Sequence, residues 1–179
     1  MVCAWMVSFC FIVDFRKTSA HAHRQIHFGG WLQAKLYVFL PLSFIFTFAH
    51  MPMLTNQPYV DFLENLSGLA LKHIDNKWAI ELLSRIYWFT IEFGLIREEG
   101  QIKIYGAGIL SSAGETKYSL SDVPSHYEYD VKKILNTPYW KDKFQDKYFI
   151  IESYEQLFES LPEIEEFLEE MVAEEMKKN

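Results

Sequence analysis

Residues 75–94 constrain the fold more than any other stretch of the chain. Trp78, Leu82, Leu83, Ile86, Tyr87 and Phe93 fall at the spacing that gathers apolar side chains on one face of an α-helix. Asp75 or Asn76 can cap its start, and Gly94 supplies a natural stop. A face this wide and this aromatic has to be buried, so the rest of the chain must supply surfaces that cover it.

Those surfaces can be read on both sides. Upstream, Asn56 and Gln57 precede Pro58, and Tyr59, Phe62, Leu63, Leu66, Leu69 and Ala70 follow at helical spacing. Downstream, residues 102–105 alternate as a short strand, and a Gly/Ser-rich loop follows with Gly106, Gly108, Ser111, Ser112 and Gly114. Residues 130–135 read as a short helix ending before Pro138, and residues 148–151 as a strand. Ser153 with Gln156 has the capping-box spacing for a helix over 154–160. Residues 163–178 form an acidic helix with Ile164, Phe167, Leu168, Met171 and Val172 turned inward. The predicted class is mainly α, an α+β fold with small β elements.

Residues 1–49 differ in character. They carry Arg16, Lys17, Arg24 and Lys35 against Asp14 alone, although the whole chain has a net charge of −7. That balance argues against a nucleic-acid backbone as partner. The 15 Phe, 10 Tyr and 5 Trp exclude a disordered chain. Cys3 and Cys10 lack the C-x-x-C spacing and cannot build a disulfide scaffold, so a cytoplasmic location is expected. Residues 1–13 and 36–49 are uncharged apolar runs. Extended through Leu54, the second has about the 20 residues a bilayer span needs, although Pro41, His50 and Pro52 interrupt it. Residues 39–48 also suit a translation of frame-shifted DNA. His21, His23 and His27 form a weak metal-like cluster. The chain therefore divides at residue 49 into an atypical segment and a regular domain, 50–179.

Residue chemistry alone offers His50, Glu92 and Glu115 as metal candidates. Glu92 lies among Tyr87, Trp88, Phe89 and Phe93, and a carboxylate buried there must be paired, protonated or metal-bound. The competing reading leaves it exposed, or pairs it with Arg85 or Arg97. Glu115 could instead pair with a base and hold the loop. Gly106, Gly108 and Gly114 could serve turns with unusual dihedral angles.

Several longer motifs fit one family. They are HMPML from His50, RIYWFTIEFGL from Arg85, IYGAGILSSAGE from Ile104, Thr137-Pro138-Tyr139, and YFIIESYEQLF from Tyr148. In this order residues 50–160 resemble the C-terminal part of the catalytic domain of the biopterin-dependent aromatic amino acid hydroxylases, closest to the bacterial phenylalanine-hydroxylating type. The resemblance implies an incomplete hydroxylase-like domain, with Fe(II) held by His50 and Glu92. It also implies Tyr87 near the iron as a catalytic residue, and an amino-acid pocket of Trp88, Phe93, Gly108 and Ser111. The implied reaction takes L-phenylalanine and O2 to L-tyrosine with tetrahydrobiopterin as electron donor.

The chain departs from the family upstream. The family pattern His-(Glu/Asp)-x-x-Gly-His falls here on Ile45, Phe46 and Ala49 ahead of His50, and Ile cannot ligate iron. The family's pterin loop and the residues fixing the substrate's amino-acid end lie further upstream, where this chain shows nothing similar, so no pterin-binding residue is assigned. These departures imply an impaired or inactive enzyme. The rival expectation is a non-catalytic, membrane-associated or partner-binding relic. The acidic helix lacks a long heptad pattern, so a monomer is expected.

Overall fold

The computed structural model describes residues 50–141 and 143–178. The chain divides into two units, Met1–Ser43 and Phe44–Asn179, and the described residues belong to the second. Both cysteines, the histidine triplet, the apolar runs up to residue 49, Ile45 and Phe46 lie outside the described residues.

Pro52–Thr55 makes one 3-10 turn. Asn56 then caps α1 (Gln57–Lys72), its side chain accepting the Tyr59 N–H at 3.1 Å, while Pro58 occupies the first turn, where its missing donor is not needed. Tyr59, Phe62, Leu63, Leu66 and Ala70 are buried. The cap of α2 (Lys77–Tyr87) is Asn76, which accepts from the N–H groups of Trp78 and Ala79.

The second helix does not run in α form to Gly94. From Trp88 to Glu92 it widens into a π turn, with the Phe93 N–H reaching back five residues to the Trp88 carbonyl at 2.8 Å. The buried Thr90 hydroxyl donates to the Ile86 carbonyl at 2.6 Å and so gives that acceptor a side-chain donor where the helix opens. Strand β1 (Leu95–Glu98) starts directly afterwards. Gly94 is therefore no left-handed helix stop; a side chain there would overlap the Thr90 carbonyl oxygen and the Tyr105 ring.

Strand β1 pairs antiparallel with β2 (Gln101–Ile104), Leu95 opposite Ile104 and Glu98 opposite Gln101. The two residues between them, Glu99 and Gly100, have φ of 53° and 76°, as a type I′ hairpin turn requires. The segment expected to be a loop holds two short helices, α3 (Ala107–Leu110) and α4 (Ala113–Ser119), the latter capped by the Ser112 hydroxyl. Strand β3 (Ser125–Glu128), which sequence reading missed, leads through α5 (Val131–Leu135) to β4 (Lys147–Ile151).

The sheet order is β2-β1-β4-β3, with β4 parallel to both its neighbours. Tyr148, Phe149, Ile150 and Ile151 of β4 are all buried, as expected of a central strand. Two helices complete the domain, α6 (Tyr154–Glu159) and α7 (Leu161–Lys178). In α7, Ile164, Leu168 and Val172 are buried, and the helix packs on α1, α2 and α5. The result is a mainly helical fold with a small mixed sheet, as the sequence implies. Among the described residues no helix is long and apolar enough to cross a membrane.

Candidate metal and substrate site

The π turn decides where the acid of the second helix points. Glu92 ends that turn, and its Oε1 lies 3.6 Å from His50 Nε2. The Tyr87 hydroxyl donates to the same oxygen at 3.2 Å. The side chains of His50 and Glu92 are 14% and 21% exposed, so both stand at the edge of the interior. Burial pushes the Glu92 carboxyl above its ordinary range, and His50, the Tyr87 hydroxyl and the Gly108 N–H oppose that shift. Neither arginine considered as a partner is on it. Arg85 donates to the Leu135 carbonyl at 2.6 Å and sits beside Glu81; Arg97 holds Glu128 and Glu152.

The rings expected to line a pocket are together. Trp88 stacks on Phe93 with centroids 4.7 Å apart and planes at 29°. Tyr139 stacks on Trp88 at the same distance and 26°. The sequence signals Tyr139 only through its Thr-Pro-Tyr motif, as an aromatic residue directly after Pro138. Phe93 joins Leu95, Ile109, Tyr148 and Ile150 in one buried cluster, against which Trp88, Ile104 and Tyr118 pack.

Gly106 and Gly108 bring the start of α3 against the back of this site. A Cβ on Gly106 would lie 2.5 Å from the Glu92 carbonyl oxygen, and one on Gly108 would lie 2.9 Å from Phe93 Cζ. The reading of Gly106, Gly108 and Gly114 as unusual-dihedral turns is overturned: Gly100 is the glycine with positive φ among the described residues. Close approach is the reason at Gly106 and Gly108. Ser111 is exposed, and its hydroxyl donates to the Gly108 carbonyl at 2.7 Å.

Glu115 is not in the pair's company. It is buried, and Oε1 accepts from the Tyr148 hydroxyl at 2.7 Å and from the Gln145 N–H at 3.2 Å. The expected pairing with a base that holds the Gly/Ser-rich segment is overturned: the partners are neutral donors from residues 145 and 148. Among the described residues no three His, Cys, Asp or Glu side chains are grouped to hold a metal. The His50–Glu92 pair still suits two positions on one ion: a nitrogen and an oxygen 3.6 Å apart can be bridged by bonds of about 2.1 Å each. An imidazole with a carboxylate is also the donor chemistry of non-haem iron sites that keep open positions.

The chain is similar to proteins already known. The family model for biopterin-dependent aromatic amino acid hydroxylases matches residues 44–175. A phenylalanine-4-hydroxylase of Ralstonia nicotianae is 41% identical over 121 residues, covering 67% of this chain and 38% of that protein. The phenylalanine-4-hydroxylase of Chromobacterium violaceum is 39% identical over 145 residues, covering 78% of this chain and 48% of that one. A crystal structure of the C. violaceum enzyme with iron and phenylalanine bound aligns with a TM-score of 0.60 at 43% identity, over 63% of this chain and 42% of that chain. This chain therefore spans less than half the length of these relatives. Motifs, fold and match all lead to one assignment: the chain belongs to the biopterin-dependent aromatic amino acid hydroxylase family.

Proposed function

We propose that residues 50–179 carry the C-terminal part of a phenylalanine 4-monooxygenase centre, and that residues 1–49, of which the family match takes in 44–49 alone, are an atypical segment. His50 and Glu92 are two of the protein ligands of Fe(II), and the observation that carries this reading is their 3.6 Å approach at the end of the π turn. When bound, iron and tetrahydrobiopterin supply O2 activation: one oxygen atom enters the ring of L-phenylalanine, and the other is reduced by the pterin's two electrons.

The chain's own residues then have separate tasks. Tyr87 orients the Glu92 carboxylate through its hydroxyl. Trp88 and Phe93 offer stacked faces that suit an aromatic ring. Gly108 keeps space beside Phe93, and Ser111 stands at the exposed rim. With isoleucine at position 45 where the family has its first histidine, two donors remain and the chain binds iron weakly.

Calorimetric titration with Fe(II) under anaerobic conditions tests this. The expected result is weak binding that is lost in His50→Ala and in Glu92→Ala and tightens in Ile45→His. Mass spectrometry is expected to detect no tyrosine from phenylalanine, iron and pterin with the unaltered chain. Metal binding indifferent to both His50 and Glu92 would overturn the ligand assignment.

A further inference from the structure

Glu115 is the one buried carboxylate in the core among the described residues, 6% exposed in the first turn of α4. A carboxylate taken out of water is costly unless hydrogen bonds hold it. Its two donors meet the same oxygen and belong to two different walls of the site. Tyr148 lies in the buried cluster that contains Phe93 and supports Trp88. Gln145, 1% exposed, gives its backbone N–H to Glu115 and uses its amide on the loop before it. Gln145 Oε1 accepts the Trp140 N–H at 3.2 Å, and Nε2 donates to the carbonyls of Trp140 at 2.6 Å and Lys143 at 3.3 Å.

Trp140 follows Tyr139, the ring stacked on Trp88. Trp140 is 38% and Phe144 46% exposed, and Phe144 packs on Tyr118 with ring centroids 5.2 Å apart. From these contacts we infer that Glu115 is a positioning residue for the aromatic slot. It grips Gln145 and Tyr148 with one oxygen, and Gln145 in turn holds Trp140, next to Tyr139 where that ring stacks on Trp88. The consequence for substrate rests on the function proposed above: Glu115 then sets the width of the slot that receives the aromatic ring.

Because both donors share Oε1, an amide at this position keeps the acceptor, whereas an isosteric thioether keeps the volume and loses it. Near-UV circular dichroism of the full chain separates these cases. The difference between the unaltered chain and Tyr139→Leu defines the Trp88–Tyr139 band, and far-UV spectra confirm that helix content is kept. Glu115→Gln is expected to retain the band. Glu115→Met is expected to lose it, with no further loss when combined with Tyr139→Leu. Gln145→Ala, which keeps the backbone N–H on Glu115 but removes the amide that ties this contact to Trp140 and Lys143, is expected to lose it too, and a folded Glu115→Ala takes the place of Glu115→Met if the latter does not fold. Retention of the band in Gln145→Ala, retention in a folded Glu115→Met, or its loss in a folded Glu115→Gln would overturn the inference. The band is read without ligand. A wild-type spectrum unmoved by added L-phenylalanine therefore counts against the slot reading and leaves the positioning role to be decided by the variants.

Discussion

Adding one carbon at Gly106 would place it 2.5 Å from the Glu92 carbonyl oxygen and 2.6 Å from the Gly94 nitrogen, both backbone atoms that cannot rotate away. Gly106→Ala is therefore expected to destabilise the fold by about 1–3 kcal/mol, the usual cost of overpacking. Gly68 is the opposite case, with open space around it in the middle of α1. Gly68→Ala should stabilise by about 0.5–1 kcal/mol, and urea denaturation of the two variants should show midpoints moving in opposite directions. A second prediction concerns the buried tyrosines. Burial is the first cause raising the hydroxyls of Tyr105, Tyr129, Tyr148 and Tyr154, with Tyr154 pushed up to about 12. Between the ordinary value near 10 and the raised folded value, the unfolded chain loses protons that the native one keeps. Stability is thus intact below about pH 10 and falls as pH rises beyond it. Melting temperatures from pH 9 to 11 should decline, and Tyr154→Phe should flatten part of that decline. At this scale the motifs mark His50 and Glu92, which lie 3.6 Å apart, and Trp88 and Phe93, which stack on each other. Tyr139 and the task of Glu115 were missed because both depend on a loop held by contacts remote in sequence.

The helices show which elements a sequence announces. Asn76 accepts two backbone N–H groups at the start of α2, so Asn76→Ala should cost about 1 kcal/mol and lower the melting temperature without changing the far-UV spectrum of the native state. Helices α1, α2, α6 and α7 and strand β4 were legible from period and caps. The Ser153–Gln156 signature is present with a twist: the Ser153 hydroxyl accepts the Gln156 N–H, while the Gln156 side chain takes the N–H of Glu152, one residue upstream of the usual partner. Strand β1 escaped notice because its four residues follow the helix without a break, although Glu99-Gly100 between two short apolar runs was a hairpin signal. Strand β3, Ser-His-Tyr-Glu, has no aliphatic residue and exists through its parallel pairing with β4. The Gly/Ser composition of residues 106–114 spoke for a loop. Packing of Gly106 and Gly108 against Glu92 and Phe93, with the Ser112 cap, made short helices there instead.

For the molecule as a whole, the His50–Glu92 pair is separate from what holds the domain together. Phe62, Leu82, Ile86, Phe149, Leu157, Ile164 and Leu168 are fully buried away from water, while the pair stays partly exposed. A stoichiometric chelator is therefore expected to leave the melting temperature of the chain unchanged in differential scanning calorimetry; a clear drop would show a metal contributing to folding. The location of the acid, in contrast, depends on a count. A π turn holds one residue more than an α turn, and each residue of an α-helix rotates its successors by about 100°. Loss of one codon among those for Trp88, Phe89, Thr90 or Ile91 would close the turn and swing Glu92 off His50, though every side chain of the pair survived. Substitutions in this segment can act by degrees. A single-residue deletion acts at once, so in a lineage of such chains the length of this turn is inherited or lost as a unit.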